Sequence, residues 1–513
     1  MSAEGRAAIP WSWGWGAIVL AFPWSNAFMS VATGLLALTA LSRWRAARAV
    51  EPSRPLVMGA LALAVLMAWT LLSSLWSTDT AAAINDFRIK LPLLVGALVL
   101  WRMAVEDRIM KGRETVLKLA VGSALLATLV VVAGDIVDGG QLGGRQSSRF
   151  ISHIRFGLWW AVLLPLVVNV LGPKWNWLCL AGAVLTWTWT QSVSGLVLGI
   201  CTAPWWWTPM WRNRSTASMH RPHWPEAGTI NRLAVRLSVA SLAVLAVLFA
   251  GLPTALPDAA SLPERSRKGE RYVHNVERSV TENGHHVWTM LAWGELQQGW
   301  QARSEIPYDT IDGALVRFLA SKGLPKDEEG LAALSQEEIE AVERHVTSVV
   351  ELEGGGWAKR WNRFKFNWGQ WWDGDRSPNA SVLARSVYSG MALEALRSMS
   401  FTQWCSGYGA GQVEEVLSVE YVEHEPDWPA SGRKRPHNQY LTLLLSLGCV
   451  GLFAWLITMG ALWSLRTLRP GMLVIAVSCL TEDTLETQAG VTLVLFALAF
   501  GAFLVKPSAW PQA

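Results

Sequence analysis

Long apolar stretches alternate with short polar loops along most of the chain. A helix of about 20 apolar residues crosses the hydrocarbon core of a bilayer. By that measure the pattern predicts about twelve membrane-spanning helices. The turn signal Pro23-Trp24-Ser25-Asn26 separates the first two stretches, which are therefore either one kinked helix or two. The predicted spans are 9–22, 27–42, 57–76, 90–105, 115–138, 155–171, 175–189, 191–207, 231–251, 438–465, 470–481 and 488–505.

One long polar segment, residues 252–436, interrupts this pattern and carries most of the acidic residues. Within it, Ser335 and Glu338 form a capping box that predicts a helix through about Val350. Apolar residues at helical spacing predict a second, amphipathic helix over 381–400. We therefore expect an all-α polytopic membrane protein with a large, mostly helical loop domain. The predicted regions are 1–251 with helices 1–9, 252–436 with the loop domain, and 437–513 with helices 10–12.

Basic residues collect in alternate short loops, for example at Arg43, Arg45 and Arg48 and again at Arg466 and Arg469. Because Lys and Arg favour the cytoplasmic side, both chain ends are predicted inside and the long segment outside. Composition agrees with a membrane protein: the 513 residues are 51% hydrophobic and 16% charged, with 32 Trp. A net charge of +4 is too small to indicate a nucleic-acid partner. The lipid bilayer is the expected environment.

Ionisable residues near membrane depth are candidates for function. They gather on the predicted outer side in four clusters: Arg145, Arg149, His153 and Arg155; Arg433, Lys434, Arg435 and His437; Glu482, Asp483 and Glu486; and Asp86, Arg88 and Lys90. Two basic clusters at one leaflet suggest an anionic ligand, since guanidinium groups bind phosphate oxygens bidentately. The alternative for these arginines is anchoring at the membrane interface through lipid phosphates.

His437 follows Pro436 and precedes an apolar helix. The helix dipole and Arg435 both disfavour an imidazolium at this position, and a neutral imidazole can act as a general base. The alternative is a histidine that only caps the helix. The acidic residues Glu482, Asp483 and Glu486 either orient His437 and pair with the arginines or form a solvated loop.

No convincing metal or cofactor site is predicted. Asp373-Gly374-Asp375 has the spacing of metal-dependent sugar transferases, but it is also a common turn sequence. His285 and His286 are expected on a helix, where adjacent side chains point in different directions. The five cysteines show no metal-binding spacing and are expected to be small apolar residues.

Several segments resemble the bacterial O-antigen ligase and polymerase family. The strongest is RPHNQYLTLLLSLGCVGLFAW, directly after the long outer segment. The stretch RSVYSGMALEALRSMSFTQWCSGYGAGQ is similar to that family's helix and Gly-x-Gly turn, and SRFISHIRFGLWWAVLLPL resembles its arginine-bearing loop. The segments ENGHHVWTMLAWGELQQGW, LVRFLASKGLPKDEEGL and LTEDTLETQAGVTLVLFAL are similar to one subgroup.

The resemblance implies a multi-pass glycosyltransferase of the bacterial inner membrane with a periplasmic active site. Such an enzyme moves a glycan from an undecaprenyl pyrophosphate carrier to an acceptor, with inversion and without a metal. The acceptor is the lipid A core for a ligase and another lipid-linked repeat unit for a polymerase. By position, His437 would be catalytic and Arg149 and Arg155 would hold the pyrophosphate. His153, Asn438 and the three acidic residues would support them.

The chain departs from that family in a middle span, where Val193-Ser194 replaces the usual Ser-Arg. Arg88 or Arg435 could supply the missing guanidinium. Ligase and polymerase share these residues, so both remain open, as does a protein-glycosylating relative. A polysaccharide flippase would also have many spans, but it would carry charges at the bilayer midplane. A non-catalytic assembly protein is a further alternative.

Overall fold

A computed structural model describes residues 8–44, 52–106, 110–138, 149–207, 256–375, 383–425 and 428–504, together with the single positions 236 and 239. Arg145 and, apart from those two positions, the predicted span 231–251 lie outside these residues. The chain divides into two compact units. The first comprises Met1–Leu242 and Tyr388–Ala513, and the second comprises Ala243–Val387.

The first unit is built from helices. Its members before the second unit are α1 (Trp11–Ala21), α2 (Asn26–Ser42), α3 (Arg54–Ser73), α4 (Thr80–Val105), α5 (Arg113–Val137), α6 (His153–Val170), α7 (Pro173–Trp189) and α8 (Val193–Cys201). The Pro23–Asn26 turn separates α1 from α2, so these are two helices. α4 begins ten residues before the predicted span 90–105. The Asp79 side chain caps its start by accepting a hydrogen bond from the N–H of Ala82 at 2.9 Å.

Four helices of the described chain, α3, α5, α6 and the later α18 (Gln439–Trp463), are long and apolar enough to cross a membrane. α6 is enclosed, with Trp159 and Trp160 fully buried. α3 and α5 instead leave large apolar side chains such as Leu61 and Leu129 exposed. Exposed apolar faces on long helices are typical of proteins whose surface is covered by lipid. The fold therefore suggests a multi-pass membrane protein.

The second unit has its own core around Trp300, Leu315 and Phe318. Its helices are α9 (Trp293–Gln301), α10 (Tyr308–Ser321), α11 (Glu328–Ala332), α12 (Gln336–Glu343), α13 (Val349–Glu353) and α14 (Gly356–Trp372). α12 starts at the predicted capping box but ends at Glu343, not near Val350. His345, with a φ of 58°, turns the chain back, and the N–H of Val346 closes the end on the carbonyl of Ala341 at 2.9 Å.

The predicted helix at His285 and His286 is wrong. These residues form strand β2 (His285–His286), which pairs antiparallel with β1 (Thr281–Glu282). Asn283 and Gly284 connect the strands with φ values of 50° and 89°. Positive φ at both residues of a two-residue Asn-Gly loop is the geometry that closes a tight hairpin.

The chain continues with α15 (Ala384–Arg397), whose first four residues belong to the second unit. It is followed by α16 (Phe401–Ser406), α17 (Val413–His424), α18, α19 (Arg469–Thr481) and α20 (Gln488–Leu495) with a π turn at Phe496–Phe500. α15 is the predicted amphipathic helix, and its apolar residues Val387, Met391 and Leu396 are buried. Leu383 and Met399, just beyond its two ends, are buried as well.

The Gly-x-Gly turn at Gly407–Gly409 packs against a break in α18. Gly448 has a φ of 64° inside that helix, which interrupts its hydrogen bonds. The N–H groups of Tyr408 and Gly409 donate instead to the carbonyls of Leu445 and Ser446, at 2.8 and 3.0 Å. A side chain on Gly448 would come within 2.3 Å of the Cys405 carbonyl oxygen. The close packing of the Gly407–Gly409 turn on α18 therefore requires glycine at position 448.

Candidate functional site

The candidate site begins where the chain enters α18. Asn438 caps this helix, and its side-chain oxygen accepts from the N–H of Tyr440 at 3.1 Å and of Leu441 at 3.3 Å. His437, one residue earlier, has a φ of 50°. This left-handed conformation costs a residue other than glycine on the order of 1 kcal/mol, so surrounding contacts must hold it.

Asp483 provides one of these contacts. Its Oδ2 accepts from the backbone N–H of His437 at 3.2 Å, and its Oδ1 accepts from the Thr442 hydroxyl at 2.6 Å. Burial raises the pKa of Asp483 above its usual range, while the Thr442 bond acts in the opposite direction. The loop between α19 and α20 is thus tied to the start of α18.

Glu482 lies beside the imidazole itself. Its Oε2 is 3.6 Å from His437 Nδ1, and the Tyr388 ring centroid is 5.5 Å from that of the imidazole. The His437 side chain is 32% exposed. A carboxylate at Nδ1 favours a proton on that nitrogen, which leaves Nε2 as the acceptor for a proton from a bound molecule.

Glu486, from the same loop, lies at the centre of a buried ionic cluster. Lys90 Nζ lies 2.9 Å from Glu486 Oε1, and Arg435 Nη1 and Gln439 Nε2 donate to its two oxygens at 2.9 and 3.0 Å. Burial opposes ionisation, but the cations Lys90 and Arg435 hold the pKa of Glu486 below its usual range. Lys90 also pairs with Asp86, and Arg435 with Glu414.

Arg155 joins the same loop from α6. Its side chain donates to the carbonyl of Asp483 at 3.2 Å and to the Thr484 hydroxyl at 3.3 Å, and the residue is only 5% exposed. His153 is the first residue of α6, two positions earlier. The structure therefore links Arg155 to His437 through Asp483, and links Arg435 to the loop through Glu486.

The two remaining predicted arginines lie elsewhere. Arg149 is exposed and pairs with Asp138 at the end of α5 and with Asp135. Arg88 is exposed on α4, where it donates to Asn85 Oδ1 at 2.7 Å.

Arg88 also lines a cavity of about 590 Å³ between α2, α4 and the first residue of α20. Most of the lining is apolar, with residues such as Leu91, Leu94 and Val95. Gln488, two residues after Glu486, also lines this cavity. An open apolar groove with one guanidinium at its lining could hold an amphiphile with an anionic head.

Sequence reasoning missed Gln439 and Thr442, both of which contact the acidic loop. With Ser446 they form a buried polar stripe at i, i+3 and i+7 on an otherwise apolar helix. That spacing places the three residues on one face of α18. It could have been used to predict which face of the helix contacts the acidic loop.

Within the described ranges, one group has the spacing of metal ligands: Glu420, Glu423 and His424 on α17, with ligand atoms within 4.8 Å of one another. The Asp373 side chain of the second unit instead accepts from the N–H groups of Ser279 and Val280, as a turn residue does. Neither group includes a residue of the cluster around His437.

We compared the chain with models of protein families and with curated proteins, and neither comparison found a match.

Proposed function

We propose that this protein is a glycosyltransferase of the O-antigen ligase type in the bacterial inner membrane, with its active site facing the periplasm. It would move a glycan from an undecaprenyl pyrophosphate carrier to a sugar hydroxyl of the lipid A core. The observation that carries the proposal is the setting of His437. It is a partly exposed imidazole whose backbone and ring both lie against the acidic loop, through Asp483 and Glu482.

The chemistry requires one base. The acceptor oxygen attacks the anomeric carbon as the bond from that carbon to the pyrophosphate oxygen breaks, which inverts the configuration. The hydroxyl proton passes to Nε2 of His437, and Glu482 at Nδ1 stabilises the imidazolium that forms. Assistance of this kind is typically worth ~10²–10⁴-fold in rate.

The leaving group needs cations rather than an acid, because pyrophosphate is stable as an anion. The cavity would take part of the prenyl chain, and Arg88 would contact the phosphates with its bidentate guanidinium. Arg155 and Arg435 already bind oxygens of the loop and its neighbours. The positions of Arg155 and Arg435 favour a role in holding the loop against His437. Their positive charges would also attract the phosphates electrostatically.

A polymerase that joins lipid-linked repeat units would use the same residues with a different acceptor. Deleting the gene in its host separates the two activities. Loss of a ligase leaves long chains on the carrier lipid, whereas loss of a polymerase leaves single units.

The direct test is transfer by the purified chain in lipid vesicles, with a lipid-linked glycan as donor and lipid A core as acceptor. We expect His437→Ala to lose at least ~10²-fold in kcat and to remain folded. His424→Ala is the matched control, because His424 is an exposed histidine that pairs with Glu420 on its own helix and is not a residue of the cluster around His437.

We also expect EDTA to leave transfer unchanged. No transfer by the wild-type chain with either acceptor would contradict the proposal, as would full activity of His437→Ala. Activity that EDTA abolishes and Mg²⁺ restores would require a metal site in place of the cations.

A further inference from the structure

Helix α16 and the glycine that ends it pack their backbone directly on the backbone of α18. A side-chain carbon added at Gly407 would lie 2.3 Å from the Ser446 carbonyl oxygen, and one at Gly448 would lie 2.3 Å from that of Cys405. Glycine on both chains therefore permits this close approach. Ser446 and Gly448 follow Gln439, the first residue of α18, by seven and nine positions. At about 1.5 Å per residue, the contact lies about 10–14 Å along α18 from its start.

This contact lies within the length of α18 that a bilayer would cover. α18 has 25 residues and is therefore about 38 Å long, whereas the hydrocarbon core of a bilayer is about 30 Å thick. If the helix is centred in the bilayer, about 4 Å of it extends beyond the core at each end. The backbone of α16 then meets α18 on the outer side, below the boundary of the core. This step depends on the membrane embedding in the proposed function, but not on the transferase activity.

The largest exposed side chains of α16 are apolar. Phe401 is 83% exposed and Trp404 is 38% exposed, and the helix contains no charged residue. The turn after the helix contacts the outer end of α3, where the Ala410 N–H donates to the Ser73 hydroxyl at 3.1 Å. That end of α3 also carries Leu75, which is 80% exposed. Large apolar side chains are thus open on two neighbouring elements, as is typical of a surface that contacts another protein or a membrane.

We propose that α16 and its turn form a re-entrant segment in the outer leaflet, with Phe401 and Trp404 against lipid acyl chains. The position of α16 favours lipid, because its contact with α18 places these side chains at the depth of the hydrocarbon. α16 has only six residues, a length of about 9 Å, so Phe401 lies about one helical turn from Cys405. The tryptophan ring, with its polar N–H, suits the boundary of the hydrocarbon layer.

The hydrogen bonds of this segment meet the requirement that hydrocarbon imposes. Backbone polar groups there need partners within the protein, because no water is available. Ser400 and Gln403 form a capping box, in which the Gln403 N–H donates to the Ser400 hydroxyl at 3.3 Å and the Ser400 N–H donates to Gln403 Oε1 at 2.8 Å. The turn is buried at Gly407, Gly409 and Ala410, and it donates to carbonyls of α18 as described above. The irregular backbone is therefore covered by protein, while the apolar side chains of the helix are open.

The test uses the full chain with its native cysteines replaced, reconstituted in vesicles of phosphatidylethanolamine and phosphatidylglycerol. A spin label is placed at Phe401→Cys, where the large exposed fraction means that the replacement removes little packing. Phe453→Cys, at a side chain of α18 that is 58% exposed, is the reference for lipid, and Glu337→Cys, exposed on α12, is the reference for water. Electron paramagnetic resonance compares the accessibility of each label to oxygen, which concentrates in lipid, and to a water-soluble nickel chelate.

We expect the ratio of oxygen to nickel accessibility at position 401 to be several-fold higher than at position 337 and comparable to that at position 453. A water-like ratio at 401 with a lipid-like ratio at 453 would overturn the inference and leave the membrane embedding intact. Water-like ratios at both positions would overturn the inference together with the embedding. A label at 401 that is shielded from both reagents would indicate a protein partner and would also overturn it. Because no readout involves turnover, failure of this inference is distinguishable from failure of the transferase proposal.

Discussion

His437 and Asp483 lie 46 positions apart in the chain, and a hydrogen bond of 3.2 Å joins the backbone N–H of His437 to Asp483 Oδ2. The bond stabilises a histidine whose φ of 50° is unfavourable by itself. It also connects the start of α18 to the loop after α19. The position of the proposed base therefore depends on how two separate helices meet.

Removing this carboxylate should impair catalysis more than substrate binding. We expect Asp483→Ala to lower kcat by roughly 10²-fold, since a small displacement of a base has that effect. The donor KM should change little, because Asp483 is not at the cavity lining. Steady-state kinetics in vesicles, with the dependence of kcat on pH, measures both effects.

Thr442→Val is the matched control for Asp483→Ala. It removes the hydroxyl that donates to Asp483 Oδ1 but leaves the bond to His437. We expect a loss of about 1 kcal/mol in stability and a small change in kcat. Equal kinetic losses in the two variants would argue against a specific link from Asp483 to His437.

Glu486 should stabilise the fold much more than Glu414, although both pair with Arg435. The Glu486 side chain is 7% exposed and the Glu414 side chain is 72% exposed. Removing one partner of a buried ion pair typically costs about 3–5 kcal/mol, against about 1 kcal/mol or less at the surface. Thermal unfolding of Glu486→Gln and Glu414→Gln at pH 7 measures this difference.

The Glu486 effect should also depend on pH. Its pKa is lower in the folded chain than the unfolded value of about 4.3, so its stabilisation is fully present above that value. The stabilisation is lost as the pH falls through the folded pKa. We therefore expect the difference in melting temperature between wild type and Glu486→Gln to be constant near neutrality and to narrow below about pH 4. A difference that grows on acidification would contradict this assignment.

Gly448→Ala should distort α18. The added methyl group would lie 2.3 Å from the Cys405 carbonyl oxygen, and the residue would have to keep a φ of 64°. We expect a destabilisation of at least ~1–3 kcal/mol and reduced transfer. Gly460→Ala on the same helix meets nothing within 4 Å, so it should be neutral or slightly stabilising. Similar melting temperatures for the two variants would show that the break is dispensable.

Arg88 should contribute to donor binding. We expect Arg88→Ala to raise the donor KM by about tenfold or more, because a charge-assisted hydrogen bond is worth ~1.5–3 kcal/mol. Arg149→Ala provides the comparison, since Arg149 is also exposed but pairs with Asp138 and does not line the cavity. If Arg149→Ala raises the KM by the same factor, Arg149 reaches the phosphates as well. An unchanged KM for Arg88→Ala would remove Arg88 from the donor site.

Local signals in the chain were sufficient for several features. The capping box at Ser335 depends on neighbouring residues alone, and it forms as predicted. The cap at Asn438 is equally local but was not predicted. The hairpin at Asn283 and Gly284 was equally local, and it was missed because the adjacent histidines were assigned to a helix. α12 ends at Glu343, before the predicted end near Val350, because the N–H of Val346 donates back to the carbonyl of Ala341. The apolar pattern beyond Glu343 does not reveal this hydrogen bond.

The amino-acid order by itself determined that the chain is helical, that long apolar helices alternate with charged loops, and that His437 stands at the start of one helix. These features follow from hydrophobic periodicity and from hydrogen bonds between near neighbours. Only the tertiary structure decided that Asp483 and Glu482 meet His437, that Arg155 and Arg435 bind the acidic loop, and that Arg88 lies at a cavity. Those pairings join residues far apart in the chain, so they depend on how the helices pack, which local sequence does not encode.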